Sequence, residues 1–202
     1  DDVKLAAKAG ADSIVVDGMV AGTGASAEVL LDHSGIPTVP SIVMAREALR
    51  EIGLYRKVSL VASGGIRSGA DVAKALALGA DAVAIGIAAL IALNCNREIP
   101  QSNFEEEIGV AAGQCHHCHT GKCPVGIATQ DSELVKRLDV DEGAERVANF
   151  INSMTMELAL LTRSLGKSDV HSLEPEDLAA LTIEASAMAQ IPLAGTDKIF
   201  GQ

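Results

Sequence analysis

Short apolar runs alternate with amphipathic stretches along the first 94 positions of the chain. The runs Ser13–Val16, Val58–Ala62 and Ala82–Ile85 are rich in Val, Ile, Leu and Ala. Continuous runs of this length predict strands buried on both faces. Between them, Ala27–His33, Ile42–Ile52 and Ala70–Leu78 carry helical patterns. Strands alternating with helices predict βα units and a parallel sheet. The segments Lys8–Gly18 and Ala77–Ile87 resemble each other: a helix end, a Gly, an Ala-Asp pair, then an apolar run reaching Gly. Gly10 and Gly79 fall just past the helix ends, where a positive φ costs glycine little.

After the third run the pattern changes. Ala88–Leu93 starts a short apolar helix, and Asn94–Gly113 is polar and irregular. Glu142–Leu165 is amphipathic, with Val147, Phe150, Ile151, Met154, Leu158 and Leu161 on one stripe and Gly166 as its stop. Pro175–Ala189 predicts a second long helix, with Pro175 suited to its first turn. The chain thus divides into a partial barrel at 1–94, a cysteine-rich segment at 95–130 and a helical C-terminal extension of the same domain at 131–202. Three strands do not close a barrel, and a (β/α)8 TIM barrel takes about 250 residues. The opening "DDVKLAAKAG" reads as a helix already under way, without an initiator Met. The expectation is α/β architecture: the last three strands of a TIM barrel, belonging to a longer chain.

Charge narrows the partners. A net charge of −11 over 202 residues, with the signs scattered, argues against nucleic acid or an anionic membrane. No apolar run approaches the length of a membrane span and no signal peptide is visible, so a cytoplasmic location is expected.

In βα barrels, phosphate commonly binds at the C-terminal ends of the last two strands. Those ends read "ASGGIRSGAD" (Ala62–Asp71) and "AIGIAAL" (Ala84–Leu90). Gly64 and Gly65 let the backbone approach an anion, while Gly86, Ile87 and Ala88 present N–H groups at a helix start. The alternative is tight turns and nothing more. The first strand leads into a glycine-rich loop with Gly18, Gly22 and Gly24, where Thr23 can donate to a ligand. No Gly-Lys-Ser/Thr follows at the spacing a P-loop requires.

Three of the four cysteines, Cys115, Cys118 and Cys123, lie in "QCHHCHTGKCPVG", and Cys95 stands earlier. Clustered thiols without secretory features favour metal or redox use over a disulfide framework. Cys115-x2-Cys118-His119 matches c-type haem attachment, but that requires export and leaves Cys123 unexplained. Two thiols with His117 or His119 suit zinc, and Cys118-x4-Cys123-Pro124 suits iron–sulfur ligation. Zinc and iron–sulfur stay level on chemistry alone. Position favours the second: a redox centre following phosphate-binding turns can exchange electrons with a phosphorylated cofactor such as FMN.

"DGMVAGTGAS", "ASGGIRSGADVAKALALGADAVAIG", "AALIALNC" and "CHTGKCPVGIATQD" together resemble the FMN-binding synthase domain of glutamate synthase, especially its archaeal-type, stand-alone form. "SLEPEDLAALTIEASAMAQIPLAGT" resembles that form's C-terminus. The resemblance implies a TIM barrel that makes glutamate from 2-oxoglutarate and glutamine-derived ammonia, with electrons passing from an iron–sulfur cluster through FMN to 2-iminoglutarate. It implies FMN phosphate on Ser63, Gly64, Gly65, Gly86 and Ile87, with the loop of Gly22, Thr23 and Gly24 over flavin or substrate. It also implies a glutaminase and an electron-donor subunit or domain as partners; homo-oligomerisation is left open. The family pattern Cys-x5-Cys-x4-Cys is kept only in its x4 half. The cluster would therefore draw on Cys95, Cys115, Cys118 and Cys123, as a three-iron (3Fe-4S) or four-iron (4Fe-4S) site. No catalytic residue is identified. One rival is the flavoprotein subunit of an N-methylglutamate synthase, and one of another class is a zinc-stabilised, non-redox scaffold.

Overall fold

The computed structural model describes residues 1–22, 26–95, 99, 103–111 and 115–201. They form two compact units: Asp1–Ala21, Val29–Ile85 and Met154–Gln202 in one, Gly22–Glu28 and Gly86–Ser153 in the other.

The first unit is built on a parallel sheet of three strands, β1 (Ser13–Asp17), β2 (Ser59–Ser63) and β3 (Ala82–Ala84), ordered β1-β2-β3. Helix α1 (Asp2–Lys8) precedes β1, α2 (Glu28–His33) and α3 (Thr38–Glu51) separate β1 from β2, and α4 (Gly69–Ala77) separates β2 from β3. Register brings Asp17, Ser63 and Ala84 level, so all three strands end together. Leu60 and Ala62 of β2 are fully buried, as are Ile42 and Leu49 of α3. α3 packs on β1 and β2, and α4 on β3.

The predicted alternation is present, with one difference. The strands bury one face only: Ser13, Val15 and Asp17 of β1 are exposed while Ile14 and Val16 are half-buried. Side chains alternate along a strand, and the described helices pack the face that carries Leu60 and Ala62.

The repeated Gly-Ala-Asp has a structural basis. Gly10 and Gly79 have φ of 98° and 116° and follow the ends of α1 and α4. The aspartates then tie the sheet: Asp12 O accepts from Ser59 N at 2.9 Å, and Asp81 Oδ2 accepts from Leu60 N at 2.8 Å. Buried Arg46 of α3 donates to Leu78 O at 2.9 Å, satisfying a carbonyl that the end of α4 leaves open. Ser68 and Asp71 form a capping box at the start of α4.

α3 starts at Thr38, four residues before the predicted Ile42, because Pro37 sets the entry and Pro40 falls in the first turn, where no N–H is needed. The second long helix is not formed. Pro175–Asp177 is a single 3-10 turn, Ala180 bridges to Leu193, and α8, the eighth helix in chain order, occupies only Ile183–Ala189. Thr182 is extended and its side chain accepts from Ala185 N, so a new N-cap interrupts the apolar pattern.

The second unit contains α5 (Ile87–Ala92), α6 (Phe104–Ile108) and the start of α7 (Val140–Ser164), whose residues from Met154 onward belong to the first unit. α6 lies in the stretch expected to be irregular; Asn103 caps it through Glu105 N and Glu106 N. Arg146 of α7 donates to Ala92 O at 3.2 Å, and Gly143 lets α7 approach Leu93 closely.

Candidate functional site

The C-terminal edge of the sheet gathers the first group of candidate residues. Ser63 closes β2 between Asp17 and Ala84, and its carbonyl accepts from Gly18 N at 2.9 Å. Gly64 and Gly65 follow with φ of 107° and 75°, the left-handed region that a Cβ disfavours. Room is also short there. A Cβ on Gly64 would lie 2.8 Å from Thr38 Oγ1 and 3.2 Å from Ala21 Cβ; one on Gly65 would lie 3.1 Å from Val20 Cγ2. The segment Met19–Ala21 thus folds back over the glycine pair. Gly65 is exposed, and among the described residues its N–H donates to no backbone acceptor. Donors on an exposed turn suit a phosphate. Arg67, exposed just after the turn, adds a cation.

Gly86 and Ile87 open α5 in the second unit, both exposed, and a Cβ on Gly86 would meet nothing within 4 Å. Gly22 is exposed. Thr23 and Gly24 lie outside the described residues. Thr38 was not singled out in the sequence, because its contacts are set by the sheet and not by any spacing.

The thiols lie in the second unit. Cys123 is buried in an apolar cluster with Ile99, Phe104 and Val125, and Cys115 packs against it half-buried. Cys118 is exposed and Cys95 half-buried. Burial pushes the Cys115 thiol above its ordinary value; the neighbouring Cys118 and Cys123 add to this, and a hydrogen bond involving the His117 backbone opposes it. Cys115, Cys118 and Cys123 are therefore electrostatic neighbours. Arg137 donating to Pro124 O at 2.9 Å and Thr129 donating to Gly121 O pin the segment. Among the described residues no three His, Cys, Asp or Glu side chains converge as a ready metal site. The fit to an iron–sulfur cluster is in donor chemistry, since soft thiolates hold iron, and not in a preformed coordination sphere.

Fold and strand ends together define an α/β protein with a parallel sheet closed by glycine turns at its C-terminal edge. Residues 1–168 match the family model described as the conserved region in glutamate synthase, and the chain belongs to that family. It is 55% identical over 198 residues to a glutamate synthase large subunit-like protein of Rhizobium meliloti, covering 96% of this chain and 44% of that protein. It is 47% identical over 163 residues to the archaeal glutamate synthase [NADPH] of Methanocaldococcus jannaschii, covering 81% and 29%. An archaeal-type glutamate synthase [NADPH] of Thermotoga neapolitana is 44% identical over 166 residues, covering 82% and 29%. The chain therefore spans less than half the length of these relatives. They support the glutamate synthase reading and lend none to the methylamine or zinc-scaffold alternatives. Among the described residues no helix is long and apolar enough to cross a membrane.

Proposed function

We propose that this chain forms the FMN-phosphate side of a glutamate synthase barrel, in an enzyme that reductively aminates 2-oxoglutarate with glutamine-derived ammonia. The observation that carries this reading is the level ending of three parallel strands in glycine turns, in a chain of the glutamate synthase family. In this reading the three strands are the last of a (β/α)8 barrel, and strands from elsewhere in the protein cover their open face. Bound FMN would supply hydride chemistry and an iron–sulfur cluster one-electron transfer. The chain's own residues bind and orient. Gly64 and Gly65 offer N–H groups to the phosphate, with Ser63 beside them. By the family resemblance, Gly86 and Ile87 would also contact FMN phosphate, and Gly22, Thr23 and Gly24 the flavin or substrate. Cys118 and Cys123, with Cys115 or Cys95 or both, would ligate the cluster. The partners are a glutaminase and an electron donor, in the cytoplasm; two of the relatives carry NADPH in their names.

Iron, zinc, acid-labile sulfide and FMN measured on the anaerobically purified intact protein test this. Iron with matching sulfide is expected, and Cys118→Ser or Cys123→Ser should abolish both while FMN phosphate binding persists. Zinc without sulfide, or unchanged iron and sulfide in both variants, overturns the cluster assignment.

A further inference from the structure

One hydroxyl is built into the glycine turn. Thr38, the first residue of α3, donates from Oγ1 to Gly64 O at 3.0 Å. Two glycines on adjacent strand ends make room for it. A Cβ on Gly18 would lie 2.1 Å from Thr38 Oγ1, and one on Gly64 would lie 2.8 Å from it. The carbonyl that accepts belongs to the peptide linking Gly64 to Gly65. Peptides are planar, and no cis bond occurs among the described residues, so the Gly65 N–H points opposite to the Gly64 C=O. A hydroxyl that holds the carbonyl toward α3 therefore turns the Gly65 N–H away from α3, to the exposed side of the turn. Left to itself, a Gly-Gly pair has no such preference, since each residue enters several φ regions at little cost.

We infer that Thr38 is a positioning residue for the phosphate donor: it fixes the Gly64–Gly65 peptide so that the Gly65 N–H is aimed before the ligand arrives. This rests on the FMN reading above and names a residue that reading does not use. Thr38 touches no ligand; it acts through the peptide it holds.

Thr38→Val keeps the branched shape and removes the donor. Its test compares affinities for FMN and riboflavin, which differ by the phosphate, measured on the flavin-stripped intact protein by flavin fluorescence, with the urea midpoint recorded alongside. The expected result is a loss of about tenfold in FMN affinity, as for one misaimed hydrogen bond to a charged group. Riboflavin affinity should be unchanged, and Thr38→Ser should restore the FMN preference. Equal weakening of both flavins, or an unchanged FMN-to-riboflavin ratio in Thr38→Val, overturns the inference while leaving the FMN reading intact. A native protein that binds neither flavin, or binds both equally, overturns the FMN reading itself and the inference with it.

Discussion

Gly69→Ala sets local helix preference against tertiary packing, and the structure decides the sign. Gly69 is the first residue of α4, and alanine is the better helix former by up to about 1 kcal/mol. Its backbone, however, lies against α7. A Cβ there would stand 2.3 Å from Met154 O, 2.6 Å from Leu158 N and 2.8 Å from Glu157 Cβ. The first two are backbone atoms of a long helix and cannot rotate aside. Restoring ordinary contact distances requires the helices to part by about 1 Å, against a well at 3.5–4.0 Å for carbon pairs. Overpacking of this kind costs about 1–3 kcal/mol. Separation also stretches the bond from Gly69 N to Glu157 Oε2, now 2.6 Å. Packing therefore outweighs propensity, and a net loss of about 1–2 kcal/mol is expected. With a urea slope of about 2 kcal/mol/M, the midpoint should fall by roughly 0.5–1 M. An unchanged or higher midpoint at unchanged slope would refute the close approach of α4 and α7 and leave propensity in charge.

The two Gly-Ala-Asp copies give an internal control. Gly10→Ala meets nothing within 4 Å and should cost only the left-handed strain, about 1–2 kcal/mol, whereas Gly79→Ala also collides with Arg46 Cδ at 2.5 Å and should cost clearly more; equal midpoints would deny the Arg46 contact. A hydrogen bond from Lys167 holds the Asp177 carboxyl below its ordinary value, with a backbone bond from Glu174 N lowering it further against partial burial. A depressed folded-state pKa contributes stability above the unfolded value of about 3.9 that is lost as pH falls through it and the folded value. Asp177→Asn should flatten the stability profile in that acid window and lower stability at neutral pH; a profile that keeps its acid limb would contradict the pairing.

Much of the first unit was legible in the sequence because its elements answer to local rules. Gly10, Gly79 and Gly166 stop helices since only glycine takes a positive φ cheaply, and short Val/Ile/Ala runs make strands wherever helices can cover them. The glycine turns and the thiol spacing were equally visible, as was the family. One reading failed and one helix boundary moved, each where a local contact outranked periodicity. Thr182 capped a new helix inside an apolar stretch, and Pro40 was absorbed into the first turn of α3.

What the tertiary structure decided lies between residues far apart in the chain. Thr38 meets Gly64 across 26 positions, Arg46 meets Leu78 across 32, and Gly69 meets Glu157 across 88. No pattern of spacing encodes such pairs, because they depend on strand register and on how near two helices can come. Local composition was enough to place a glycine at the end of a strand. Only the packed sheet and helices set the direction of its N–H, because a peptide plane takes its orientation from whatever holds its carbonyl.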